Sequence, residues 1–350
     1  KKIFFLGEWC KLLHRKPFWG KLVFDTQPYH WDDRNKLNLD YLYSKKLYSQ
    51  LVDEIGKNLN YYHKISHGNR YWKIILGPWL LSFIQSILER YENIKHLKND
   101  ERKFETIILK IQKDIILPRN FESYSRLIIS DTWNHFIFGE IIKNCEIKEK
   151  IYIEEKEFED RENFRDYLKE KNYSKIREIY SFFTNFFKTK IKNEKFLISE
   201  SYLGFFNEVK LNLKLRCLPK FNNFDLPSEN YVNWVDRENF ILKNFNPNNE
   251  FERILKKLIK IQIPISYFEN YKKIRDFANK INWPTKPEII FTSHFLQKTT
   301  QTYYTAEKIE KFNSKLIVGQ HGGVYGQHLF STTQDHEIDV CDKFLTWGWK

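Results

Sequence analysis

An α/β fold built on a parallel sheet, with a large helical insertion, is predicted from three observations. Short apolar runs at 288–291, 316–318 and 343–346 each lead into a polar or glycine-rich turn, and a helix-patterned stretch at 305–312 separates the first two. A further pair of apolar runs, 3–6 and 22–24, opens the chain, and the span 92–287 between the two groups is mainly helical in pattern. Strands that alternate with helices pair in parallel, and ligands then bind beyond the carboxyl ends of the strands.

The elements follow in order. The run 3–6 (IFFL) ends at Gly7-Glu8 and reads as a buried strand, with the loop Gly7-Glu8-Trp9-Cys10 at its end; 22–24 is a second strand. After the polar aromatic segment 25–34, two helices span 39–59 and 71–91, separated by Ser66-His67-Gly68-Asn69-Arg70. In the middle region, 196–199 is the one clear buried strand, while 153–170, nearly all charge and aromatic, reads as an exposed helical insertion. The last zone returns to strand, turn and helix, so Thr292-Ser293-His294 and Gln320-His321-Gly322-Gly323 fall on one sheet edge. No internal repeat or low-complexity linker interrupts this order.

Composition narrows the function classes. The 350 residues carry a formal charge of +13, are 41% hydrophobic and 29% charged, and suffice for a substantial core. The longest apolar stretch, 74–84, contains Gly77-Pro78 and falls short of the ~20 residues of a membrane span. Lys1-Lys2 lead directly into the first strand with no secretory pattern, so the expected address is cytoplasmic, with peripheral contact at the inner face of an anionic membrane. Lysine is spread along the whole chain without a nucleic-acid recognition motif, which argues against nucleic acid as a partner. The four cysteines, Cys10, Cys145, Cys217 and Cys341, lack CxxC spacing and are expected to be free and mostly buried. Methionine is absent even at position 1, and the chain stops in what reads as a strand entering a turn, so a fragment of a longer protein is expected.

The segment KLIVGQHGGVYG, 315–326, carries the functional reading. Gly319, Gly322, Gly323 and Gly326 permit positive φ and close backbone approach, so the turn can offer N–H groups to an anion beside the imidazole of His321. A histidine there suits a general base or a donor to phosphate. The chain has no GxSxG, Walker A or GxGxxG sequence. His321, His328, His336 and Glu337 have no ligand spacing that favours a metal, and Asp32-Asp33 lacks a supporting fold context, so no metal is expected.

FLGEWC (5–10 with its preceding run), HGNRYWKIILGPWL (67–80), DTWNH (131–135), IIFTSH (289–294), VGQHGGVYG and CDKFLTWGW occur in an order that spans nearly the whole chain. Together they resemble the transferases of bacterial surface-polysaccharide (O-antigen) gene clusters, which are similar in turn to GT-B-type capsule sugar transferases and CDP-glycerol glycerophosphotransferases. The resemblance implies a GT-B-like Rossmann-type sheet in which residues 1–350 form the N-terminal, acceptor-side domain, the donor domain lying beyond them. It implies a metal-independent, inverting-type glycosyltransferase with no permanently bound cofactor, using a nucleotide-activated sugar or polyol phosphate as donor and a glycan or lipid-linked acceptor. His321 matches the histidine of the family's turn, flanked by Gln320, Gly322 and Gly323. Glu8 matches the carboxylate of GEWC, as a second candidate base or acceptor contact; a charge stabilised by a helix N-terminus is the other reading. His67, Asn69 and Arg70 match without a defined role, Arg70 being suited either to a bidentate anion contact or to a helix-start salt bridge. Ser293 and His294 are candidate phosphate or sugar contacts, His294 being a departure from the small polar sequence expected there. Trp79 and Trp133 read as core. The contrasting class is a non-catalytic glycan- or partner-binding protein that uses the same cleft.

Overall fold

A computed structural model describes residues 2–158, 187–220, 231–294 and 298–348. All its sheets are parallel. Strands β1 (Ile3–Phe5) and β2 (Phe24–Thr26) form a two-stranded sheet, with Ile3 opposite Phe24. Phe4 packs on Phe104, with ring centroids 5.5 Å apart, but Ile3 stays 36% exposed, so the first strand is only half buried, contrary to the sequence reading.

Two long helices form the centre. Helix α1 (Arg34–His63) begins where the Asp33 carboxylate accepts hydrogen bonds from the N–H groups of Asn35 and Lys36, which gives the second aspartate of Asp32-Asp33 a capping task. Helix α2 (Asn69–Lys95) runs straight through Gly77-Pro78. It is long and apolar enough to cross a membrane by composition, yet most of its surface is covered by protein. A helix apolar all round belongs in a core, and Trp72, Trp79, Phe83 and Ile84 are almost fully buried here. Trp133, also fully buried, comes from α4 (Asp131–Asn144), which follows the short α3 (Phe121–Leu127).

The middle region holds a strand pair that the sequence reading missed. Strands β3 (Phe104–Lys110) and β4 (Ile151–Glu157) pair in parallel over seven residues, Phe104 opposite Ile151 through Lys110 opposite Glu157. Residues 153–157 are therefore strand and not helical insertion; 159–170 lie outside the described residues. The glutamates hid the strand because Glu154, Glu155, Lys156 and Glu157 are all exposed, so the second half of β4 shows no apolar alternation.

The four-stranded sheet runs in chain order: β5 (Phe196–Ile198), β6 (Ile289–Thr292), β7 (Lys315–Gly319) and β8 (Lys343–Leu345). Between β5 and β6 come α5 (Phe205–Lys214), α6 (Glu250–Gln262) and α7 (Tyr271–Lys280). Helix α8 (Thr299–Phe312) links β6 to β7, and α9 (Thr332–Val340) links β7 to β8. Leu197, Ile290, Leu316 and Val318, which share one face of the sheet, are buried, whereas Ile289, Phe291 and Ile317 on the other face are half-buried. Helix α2 packs against both α8 and α9. At the second contact Gly77 matters: a Cβ there would sit 2.2 Å from His336 Cε1 and 2.7 Å from the Tyr48 hydroxyl. Of the cysteines, Cys145 and Cys217 are buried, Cys341 is half-buried and Cys10 is exposed; all four are free.

Candidate functional site

Because all four strands of the larger sheet point the same way, the loops that follow them share one edge. These are Ser199-Glu200-Ser201-Tyr202, Ser293-His294, the turn from Gln320 and Thr346-Trp347. Ser293 N–H donates to Glu200 O (2.9 Å) and its hydroxyl to Ser201 O (3.1 Å), which fastens the first loop to the second. Gln320 N–H donates to Leu345 O (2.8 Å), and Gln320 Oε1 accepts from Trp347 N–H (2.9 Å), which fastens the third to the fourth. Gly319 permits the remaining contact, since a Cβ there would lie 2.7 Å from Ser293 Oγ.

The glycines act differently from the expectation. Among those of the turn, Gly326 alone has positive φ (73°); Gly319 is required by close approach, and nothing lies within 4 Å of where a Gly323 Cβ would be. Gly323 therefore borders open space, whereas Gly322 lies against the Tyr325 ring and its carbonyl accepts from Gln320 Nε2 (2.8 Å). Two non-glycine residues take the left-handed conformation instead, Glu200 (φ 54°) and Tyr202 (φ 57°). That conformation costs energy for a residue with a Cβ and is enriched at functional sites. Here it brings the Tyr202 ring to 5.4 Å from His321 and 5.7 Å from His294.

His321 is the meeting point. Its ring lies 5.0 Å from that of His294, edge to face, and its side chain is 15% exposed. His321 Nε2 is 2.5 Å from the Tyr325 hydroxyl, which donates to Glu337 Oε2 (2.8 Å). A phenol has one proton to give. With that proton directed at Glu337, Tyr325 accepts from His321 Nε2–H, and the lone pair of the neutral imidazole is left on Nδ1. Glu337 Oε1 also lies 3.3 Å from His321 Nε2. Glu337 itself is fully buried on α9; burial pushes its carboxyl up from the usual range, while hydrogen bonds from His321 and Tyr325 pull it back down. Burial, and then the Glu337 charge, push the Tyr325 phenol up, which keeps it protonated. Neighbouring His336 is buried beside Gly77, and desolvation lowers it to about 4, so it is neutral packing and not a second charge.

The candidate residues divide into three groups. His321, Gln320, Gly322, Gly323, Ser293 and His294 come together on this edge. Glu8 is at the end of β1 in a separate sheet, 77% exposed and paired with Lys11 at 2.6 Å. His67, Asn69 and Arg70 lie at the start of α2, against the opposite edge of the four-stranded sheet. There Arg70 donates to Val340 O (2.8 Å) and pairs with Asp342 (2.8 Å) just before β8. His67 stacks on Tyr71 and bonds Glu310 near the end of α8, and Asn69 reaches Asp53 at 3.3 Å. For Arg70 the salt-bridge reading is the one the geometry fits.

Sequence reasoning missed Tyr202, Glu200 and Tyr325, and weighed Glu337 only as a metal ligand. Burial raises the Glu200 carboxyl, with the Lys298 charge opposing. Tyr325 sits four residues beyond His321 inside the same turn, and that spacing was the available signal. Among the described residues no group of three or more His, Cys, Asp or Glu is arranged to hold a metal ion.

A family model described as LIC12162 family transferase matches the chain over residues 1–350. No curated protein and no solved structure matches it.

Proposed function

From the premise that the chain belongs to the LIC12162 family of transferases, we propose that it transfers a nucleotide-activated sugar, or a polyol phosphate, to a hydroxyl of a surface glycan or its lipid-linked precursor. In the sugar case His321 Nδ1 takes the proton of the acceptor hydroxyl as that oxygen bonds to the anomeric carbon. The bond from that carbon to the phosphate oxygen breaks, and the nucleotide leaves with the electron pair. The Glu337 carboxylate, through Tyr325 and directly, favours the imidazolium that results. The open N–H groups of Gly322-Gly323 face the charge that develops on the leaving phosphate. Residues 1–350 act as the acceptor side of a GT-B-type arrangement, and the reaction calls on no metal.

The observation that carries this reading is the Glu337–Tyr325–His321 chain of hydrogen bonds at the carboxyl edge of a parallel sheet. It orients an imidazole in the way a base requires. Tyr325→Phe keeps the ring, including its stacking on Phe344 at 5.9 Å, and removes only the hydroxyl. Turnover is expected to fall with KM unchanged, by less than the roughly 10²-fold that marks loss of a general base. A Tyr325→Phe enzyme with unaltered kcat would remove the relay from the mechanism.

A further inference from the structure

The segment from Trp9 to Val23 lies outside the site and its exposure is unexplained by the core. It carries Lys11, Arg15, Lys16 and Lys21 and contains no aspartate or glutamate. Its inward anchor is Trp19, which meets Phe5 and Phe24 edge-on and donates from Nε1 to Leu12 O at 2.9 Å. Tied down in this way, it turns five large apolar side chains to solvent: Leu13 is 79% exposed, Phe18 76% and Val23 70%, with Leu22 and Trp9 at 45% and 44%. Lys11 is engaged by Glu8, whereas Arg15, Lys16 and Lys21 are exposed between the apolar side chains.

A water-facing surface gains nothing from this combination. Large apolar groups exposed together mark an interaction face, and apolar groups interleaved with cations suit the boundary between lipid headgroups and acyl chains. We propose that residues 9–23 form the surface by which the protein docks on an anionic lipid bilayer. Charge complementarity selects this occupant: a second copy of the chain on the same face would bring like charges together, whereas an acidic leaflet attracts each lysine and arginine near its surface. Leu13 and Phe18 enter the interfacial layer, and Arg15, Lys16 and Lys21 contact the phosphates. This inference does not depend on the chemistry assigned to His321.

The test is co-sedimentation of the full chain with vesicles of phosphatidylcholine alone or mixed with phosphatidylglycerol, at low and raised salt. Binding to the mixed vesicles is expected, weaker by about tenfold or more on phosphatidylcholine alone and weakened by salt. Leu13→Ser with Phe18→Ser should lose about tenfold or more in affinity, and Lys16→Gln with Lys21→Gln about tenfold on the anionic vesicles only. Circular dichroism checks that both variants fold, which their exposure favours. Absence of vesicle binding, or binding that neither pair of substitutions weakens, overturns the proposal. So does a change in sedimentation-velocity mass with Leu13→Ser and Phe18→Ser at unchanged vesicle binding, which would assign the face to a second copy.

Discussion

His321→Ala should lower turnover by roughly a hundredfold or more, the scale on which a positioned general base acts, with the protein still folded by circular dichroism. The side chain touches His294, Tyr202, Tyr325 and the buried Glu337 but anchors no strand; the edge is held by Ser293, Gln320 and the backbone. Glu337→Gln keeps the volume of the buried side chain and abolishes its charge, so it should fall between the wild type and His321→Ala. Near-normal turnover by His321→Ala would show that the imidazole is packing within an aromatic cluster.

The second large effect concerns stability. Arg237 is 1% and Glu269 5% exposed at the side chain; Arg237 Nε donates to Glu269 Oε1 (2.6 Å), Nη2 to Oε2 (2.7 Å) and Nη1 to Ile263 O (2.8 Å). Such a bidentate pair is satisfied as long as both partners are present. Glu269→Ala leaves a buried cation without its counter-charge, and a loss of about 3–5 kcal/mol in unfolding free energy is expected in urea titrations. Replacing both residues with apolar ones of similar volume should restore much of it. The Arg70–Asp342 pair, 2.8 Å long but 38% exposed at the arginine, is the contrast: breaking it should cost no more than about 1 kcal/mol. A Glu269→Ala loss no greater than that would mean that water reaches Arg237.

How far the sequence reads into this structure depends on which signal each element emits. Strands β5, β6 and β7 were legible because one face is buried and the other half-buried, so each appears as a short apolar run closed by a turn. Helices α1 and α2 were legible from their apolar spacing, even across Gly77-Pro78. Strands β3 and β4 were not, because TIILK and IYIEEKE mix charge into half-solvated positions. In the site, the QHGG turn announces itself by composition, and its placement beside Ser293-His294 follows from parallel pairing alone. The partners of His321 do not announce themselves. Glu337 is one acidic residue of a nine-residue helix, and its importance comes from how α9 rests on Gly77. Tyr202 reaches the histidine through a left-handed backbone that no residue type there foretells. Conversely, His67 and Arg70 stand out in the sequence for reasons that are architectural: they tie the start of α2 to α8 and to the residues before β8.

The most direct measurement of the central claim is turnover of a panel of nucleotide-activated sugars and polyol phosphates by the full-length protein, with His321→Ala in parallel. The account predicts acceptor-dependent release of nucleotide from at least one donor by the wild type, lost in His321→Ala while donor binding persists. Donor or glycan binding without any release, equal in the two proteins, would contradict it and identify this sheet edge as a recognition site.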